Sequence, residues 1–191
     1  MTSLPLLHPL AQSLPARHLF RFSPGCLYRI ESGAVRIVTW DPQGEWVTLN
    51  ICAAGDVIGL PLCCCSVPDP EMECLTRVRL QEIPPESWGE EVVSLCRYSQ
   101  QVQELVCILQ LRSVPERLWR FVTWLDQRFG RDTPSGRLVD IPLSHRQLAE
   151  TLGTTRVTIT RLLNRYHTQN KIRRAFRRLI ILDPTLVHRD P

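Results

Sequence analysis

From His18 to Ile83 the chain sets apolar residues in short runs separated by turn-forming residues. The runs read as strands over His18–Phe22, Leu27–Glu31, Ala34–Trp40, Trp46–Cys52, Asp56–Ile58, Met72–Arg77 and Arg79–Ile83. Ser23-Pro24-Gly25, Ser32-Gly33, Asp41-Pro42-Gln43-Gly44, Ala54-Gly55-Asp56 and Pro68-Asp69-Pro70 punctuate them. Many short strands bounded this way predict an antiparallel sandwich or small barrel of jelly-roll type. Residues 1–16 are Pro-rich without a period and read as a loose arm. Pro84-Pro85 closes the strand region, and the apolar period then changes to that of a helix.

That helix opens at Glu86, with Glu90 and Glu91 in its first turns, where acids oppose the helix dipole favourably. Val92, Leu95, Ser99, Val102, Val106, Leu109 and Ser113 follow at alternating spacings of three and four. The spacing is a heptad seam and implies a partner helix. A parallel two-fold seam with a second copy is the reading taken, with packing on the chain's own barrel as the alternative. Cys96 and Cys107 lie one residue off the seam and read as core. Ser113 and Pro115 start a further helix with Leu118, Phe121, Val122, Leu125 and Phe129 on one face and Gly130 after it. A polar loop, Arg131–Arg137, and a short strand, Leu138–Ile141, lead on.

The stretch Ser144–Tyr166, SHRQLAETLGTTRVTITRLLNRY, reads as two short helices with a tight turn between them. Ser144 and Gln147 stand at capping-box spacing, with Leu143 and Leu148 placed for a hydrophobic staple. Leu148, Ala149 and Leu152 form the buried stripe of the first helix, and Gly153 ends it where a left-handed residue is needed. Thr154 or Thr155 caps the second helix, which buries Val157 or Ile159, Leu162 and Leu163. Its opposite face carries Thr155, Arg156, Thr158, Thr160 and Arg161. This is the helix-turn-helix pattern, whose second helix lies in the DNA major groove. Arginine suits guanine O6 and N7, and threonine hydroxyls suit phosphates. After Tyr166, Lys171–Arg174 and Arg177–Leu182 flank a turn at Ala175-Phe176, which makes a basic wing. Its Arg173, Arg174, Arg177 and Arg178 are placed to follow phosphates.

Composition sharpens the division. Residues 1–112 hold 8 Lys and Arg against 12 Asp and Glu, whereas residues 113–191 hold 15 against 7. A net −4 followed by a net +8 assigns a polyanionic partner to the C-terminal part alone. Arginine supplies 22 of the 23 basic residues, favouring forked contacts over point charges. No run of apolar residues is long enough to span a bilayer, and the start MTSLPLLHPLAQSLP is a poor signal peptide. A cytosolic regulator is therefore expected, with its 8 cysteines mostly reduced.

The order of barrel, long helix and winged helix, together with the motifs GAVRI, AAGDVIGLPL, LSHRQLAETLGTTRVTITRLL and KIRRAFRRLIILDP, resembles the CRP/FNR superfamily of bacterial transcription regulators over almost the whole chain. Gly153–Leu163 is most similar to the cyanobacterial nitrogen-control branch. The resemblance implies an α+β chain: an arm (1–16), a cyclic-nucleotide-binding-like β jelly roll (17–85), a dimerisation helix (86–113) and a winged helix-turn-helix domain (114–191). It implies a homodimer on a palindromic site in double-stranded DNA, with RNA polymerase as a further partner. Arg156, Val157 and Arg161 match base-reading positions, and Ser144, His145, Thr155 and Thr158 match phosphate-contacting ones. Arg146 and Thr160 lie among them, and Val92, Leu95, Val102, Val106 and Leu109 form the seam.

The barrel departs from its relatives. The family's effector turn corresponds to Gly55-Asp56-Val57-Ile58-Gly59, but Leu60 stands where cyclic-nucleotide binders carry Glu. Pro68-Asp69-Pro70-Glu71 stands where they carry the phosphate-holding arginine, and two acids cannot neutralise a phosphate. The arginines that clamp 2-oxoglutarate in the nitrogen-control branch fall on Pro68 and about Tyr98, with Arg77 or Arg97 as substitutes. Neither ligand is expected, the fold itself requires no cofactor, and the residues name no other effector. Cys63-Cys64-Cys65 leaves two readings open, small buried hydrophobes or a thiol- or metal-responsive switch, since adjacent cysteines aim poorly at one metal. An adaptor that kept the fold without binding DNA is a further alternative. A cupin-like metal enzyme needs a His/Glu ligand set, and residues 18–83 contain only His18 among histidines.

Overall fold

The computed structural model describes residues 11–59 and 70–182. These divide into two compact units, residues 11–40, 49–59 and 70–101 in one and residues 41–48 and 102–182 in the other.

The first unit holds eight strands: β1 (Ala11–Leu14), β2 (Leu19–Arg21), β3 (Leu27–Ser32), β4 (Ala34–Trp40), β5 (Trp46–Ala53, whose first residues fall in the second unit), β6 (Val57–Gly59), β7 (Glu71–Cys74) and β8 (Val78–Ile83). They pair in two sheets, ordered β1-β8-β3-β6 and β2-β7-β4-β5, which is the alternation of a jelly roll. The predicted α+β class with its barrel is therefore present. The loose arm requires correction, because Ala11–Leu14 adds an edge strand to β8 in register Ala11↔Gln81 through Leu14↔Val78. Its residues are mostly exposed, so no buried alternation marked it.

Tyr28, Ile30, Val35, Ile37, Met72, Val78 and Leu80 are buried between the sheets. A second cluster joins Leu27, Val57 and Ile83, with Trp88 and Leu95 packed on it. Arg36 is only 1% exposed within this core. It sits across from Glu73 in the β4–β7 ladder, and its Nε donates to Glu73 Oε2 at 2.8 Å. A buried charge is tolerable in that form alone.

After a 3-10 turn at Pro85–Glu91, helix α1 spans Val92–Leu109 and so stops short of Ser113. Its first half packs on the barrel through polar groups. Glu91, just ahead of it, pairs with Arg29; Gln101 donates to Asp56 Oδ1 at 3.1 Å and accepts from Asn50 Nδ2 at 3.3 Å. Leu105 is buried further along, in the second unit. Leu95 and Tyr98 pack inward on the two core clusters beside these polar groups, while Val92, Val93 and Val106 are left 56%, 70% and 49% exposed. Cys96 and Cys107 share that outward side, which corrects the reading of them as core. The apolar period alone could not tell which face was inner.

In the second unit, α2 (Val114–Phe129) buries Leu118, Phe121, Val122 and Leu125 as its period predicts. Residues 130–139 form a hairpin of β9 (Gly130–Thr133) and β10 (Gly136–Val139), where the sequence suggested a loop and one strand. β9 is a polar edge strand, GRDT, whose ladder is set by β10 and not by its own side chains. Helices α3 (His145–Thr151) and α4 (Arg156–Thr168) follow, then β11 (Ile172–Ala175) and β12 (Arg178–Ile181). The sheet order is β11-β12-β10-β9.

Candidate nucleic-acid interface

The two helices of Ser144–Tyr166 are fixed by local hydrogen bonds before any ligand enters. Ser144 Oγ accepts from Gln147 N at 3.1 Å, and Gln147 Oε1 accepts from Ser144 N at 2.8 Å, completing the capping box. At the other end of α3, Gly153 adopts φ +57°, and Thr154 N donates to Ala149 O at 3.0 Å. That bond closes a Schellman turn, which a side chain at Gly153 would strain. Thr155 then caps α4, its Oγ1 accepting from Thr158 N at 3.1 Å. Leu148, Ala149 and Leu152 face Ile159, Leu162 and Leu163 in the interior. At the C-terminal end of α4, Tyr166 donates to Pro115 O at 2.6 Å and packs edge-on against Trp119. The helix is anchored along its length.

With Ile159 inside, Val157 is left 77% exposed, on one face with Arg156, Arg161 and Asn164. Together with Thr160 these residues line a shallow depression of about 510 Å3. Asn164 was not among the sequence candidates; its i+3 spacing from Arg161 was the available signal. Among the described residues no carboxylate pairs with Arg156 or Arg161.

A deeper groove of about 430 Å3 runs between this helix and the wing. It is lined by His145, Arg146, Arg156, Thr160, Arg174, Phe176 and Arg177, above a floor that includes Leu148 and Leu163. His145 Nδ1 lies 2.7 Å from Thr160 Oγ1, whose own proton goes to Arg156 O at 2.9 Å. That network assigns the Nδ1–H tautomer, leaving Nε2 buried without a protein partner. Burial, and then the charges of Arg174 and Arg156, hold the His145 imidazole below its ordinary value of 6.5.

The other sequence candidates separate into two groups. Arg173 and Arg174 point outward from β11 without a carboxylate partner among the described residues. Arg177 donates to Gln147 Oε1 at 3.1 Å, tying the wing to the cap of α3. Arg146 pairs with Glu150 at 2.7 Å one turn along α3, and Arg178 pairs with Asp140 at 2.5 Å. Ser144 and Thr155 use their hydroxyls as caps, with Thr158 Oγ1 3.0 Å from Thr155 Oγ1. At the barrel turn the candidate residues are engaged within the fold. Val57 and Ile58 are buried in the core clusters, and Gly59, at φ +129°, leaves no room for a Cβ beside Cys26 O. Asp56 accepts from Ala53 N at 2.7 Å and from Gln101. Arg77 and Arg97 are exposed and Tyr98 packs on the barrel core, while Leu60, Cys63–Cys65 and Pro68 lie outside the described residues. Among the described residues no three His, Cys, Asp or Glu side chains converge on a metal position.

A helix-turn-helix with an outward basic face and a basic wing, in one chain with a jelly roll, defines a DNA-binding transcriptional regulator. Residues 116–187 match the Crp-like helix-turn-helix domain. The chain is 34% identical over 197 residues to regulatory protein CysR of Synechococcus elongatus, spanning 96% of this chain and 93% of that one. It is 28% identical over 172 residues to the global nitrogen regulator of the same organism, across 83% and 78% of the two chains. Among solved structures, a CRP-family transcriptional regulator from Thermus thermophilus superposes with a TM-score of 0.76 at 22% identity, covering 92% of this chain and 94% of the other. The chain belongs to the CRP/FNR family of transcriptional regulators. These relatives are regulators and not enzymes, which removes the metal-enzyme alternative. No described helix is long and apolar enough to cross a membrane.

Proposed function

We propose that the protein binds DNA as a homodimer on a palindromic site, each α4 reading about three to four base pairs of one half-site. The observation that carries this is the outward face of α4, where Arg156, Val157, Thr160 and Arg161 are presented by a helix anchored at both ends. Arg156 and Arg161 reach guanine edges, and Val157 suits a thymine methyl. Thr155, Thr158, His145, Arg173 and Arg174 take phosphates, aided by the positive end of α4. Of the predicted seam, Val92 and Val106 stand exposed on α1 and support a second copy as the partner that covers them, whereas Leu95 packs inward on the core.

Leu60 in place of the family's Glu, and Pro68-Asp69-Pro70-Glu71 in place of its phosphate-holding arginine, support an effector other than cyclic AMP or 2-oxoglutarate. Cys74 offers no reactive thiol, since burial and then Glu73 push it up to about 11. Selection of bound sequences from random DNA tests the proposal. An inverted repeat with half-site centres about one helical turn apart is expected. Enrichment of an isolated half-site would sink the dimer, and no enrichment would sink sequence-specific reading.

A further inference from the structure

Phe176 stands alone at the tip of the wing. It is 98% exposed, the most exposed large apolar side chain of the described residues. The β11–β12 register ends at Ala175↔Arg178, so Phe176 and Arg177 form a two-residue hairpin loop. Phe176 is the first of the pair and adopts φ +56°. Glycine, asparagine or aspartate normally fill such loop positions, because a Cβ is strained there. An aromatic ring in a strained position, with no packing to hold it, needs a reason outside the fold.

The groove beside it supplies one. Arg156 and Thr160 of α4 form one wall, and Arg174, Phe176 and Arg177 of the wing form the other, with His145 between them. A groove so lined fits a sugar–phosphate strand. In duplex DNA one such strand separates the major groove from the neighbouring minor groove. With α4 in the major groove and the strand in this groove, the far wall stands at the minor groove. Arginines flanking an exposed apolar side chain are what minor-groove wedges are made of.

Resting on the DNA-reading proposal above, we propose that Phe176 enters the minor groove beside each half-site and stacks against a base step there, flanked by Arg174 and Arg177. The preferred step is a flexible pyrimidine–purine one, which unstacks most easily. The wing thereby adds sequence preference outside the bases that α4 contacts.

The test uses the full chain on its own selected site, with 2-aminopurine placed at successive flanking steps. Phe176→Gly keeps the loop and removes the ring; Phe176→Trp keeps a ring. The wild type is expected to brighten 2-aminopurine at one flanking step. Phe176→Gly should melt at the same or a higher temperature, bind about tenfold more weakly and lose the fluorescence change. Its salt dependence should be unchanged, because no charge is removed, and Phe176→Trp should retain both binding and fluorescence. Equal affinity of Phe176→Gly and wild type, or a silent 2-aminopurine with bound wild type, overturns the wedge and leaves α4 as the reader. A lower melting temperature for Phe176→Gly also overturns it, by showing that the ring supports the fold. A wild type that enriches no site removes the DNA-reading proposal itself, and the wedge with it.

Discussion

Two sets of arginines, one in each unit, face different partners. In the barrel, Arg21, Arg29, Arg36 and Arg79 each face a glutamate: Glu71, Glu91, Glu73 and Glu31. In the C-terminal unit, Arg131, Arg137, Arg146 and Arg178 are likewise paired with acids, but Arg156, Arg161, Arg173 and Arg174 are not, among the described residues. The first kind stabilises this fold. The second kind leaves positive charge to be neutralised from outside, and these four lie on α4 and β11. Net charge by region hints at the difference, but pairing locates it.

The largest break in this contrast is expected at Glu73. Glu73→Ala removes the carboxylate that faces the buried Arg36 across the β4–β7 ladder and should destabilise the barrel by roughly 3–5 kcal/mol, seen in thermal or urea unfolding. A loss below about 1 kcal/mol would mean that Glu73 is not what makes the buried Arg36 charge tolerable. Arg161→Ala reverses the pattern: stability is unchanged, while binding to the selected site weakens by roughly 1–3 kcal/mol and specificity relaxes at one base pair. Equal losses on specific and random DNA would assign Arg161 to phosphates instead. Arg174→Ala should weaken all sequences alike and lower the slope of log affinity against log salt by about 1; an unchanged slope would refute the phosphate contact.

The smallest effect is a pH dependence. His145 is held below 6.5 by burial, Arg174 and Arg156, with Arg146, Arg177 and Arg178 also around the groove and Glu150 engaged with Arg146. The folded, DNA-free chain therefore binds fewer protons at this site than the unfolded one. Its stability should fall as pH drops below 6.5. A DNA phosphate in the groove offsets the arginine charges and gives Nε2–H an acceptor. Affinity should then rise over that same pH decrease, and His145→Gln should flatten both curves. Melting and fluorescence anisotropy against pH check the two signs, and parallel slopes in His145→Gln and wild type would exclude His145.

Much of this was legible in the residues. Ser144, Gln147 and Gly153 announce the ends of α3 because caps and left-handed turns accept few side chains. The core strands follow from apolar runs between turns. What could not be read was whatever depends on partners distant in sequence. Ala11–Leu14 and Gly130–Thr133 are strands because a neighbour offers a ladder. Polar contacts of Glu91 and Gln101 with Arg29, Asp56 and Asn50 share the inner face of α1 with Leu95 and Tyr98, so apolar character alone misplaced Cys96 and Cys107. Within RRAFRR, sequence cannot tell that Arg178 belongs to Asp140 while Arg174 faces outward, nor that the ring between them bears a strained φ.

The hydrogen bond from Arg177 to Gln147 has a consequence of a different kind. Gln147 completes the cap of α3, so wing tip and helix pair are clamped into a calliper whose jaws keep one gap. A gauge of fixed opening sorts duplexes by their cross-section. B-form DNA offers a wide groove on one side of a strand and a narrow one on the other, whereas an A-form RNA duplex buries its major groove too deeply for α4 to enter. On the proposed reading of DNA, the bond that joins the wing to the cap of α3 therefore favours a B-form duplex over an A-form one.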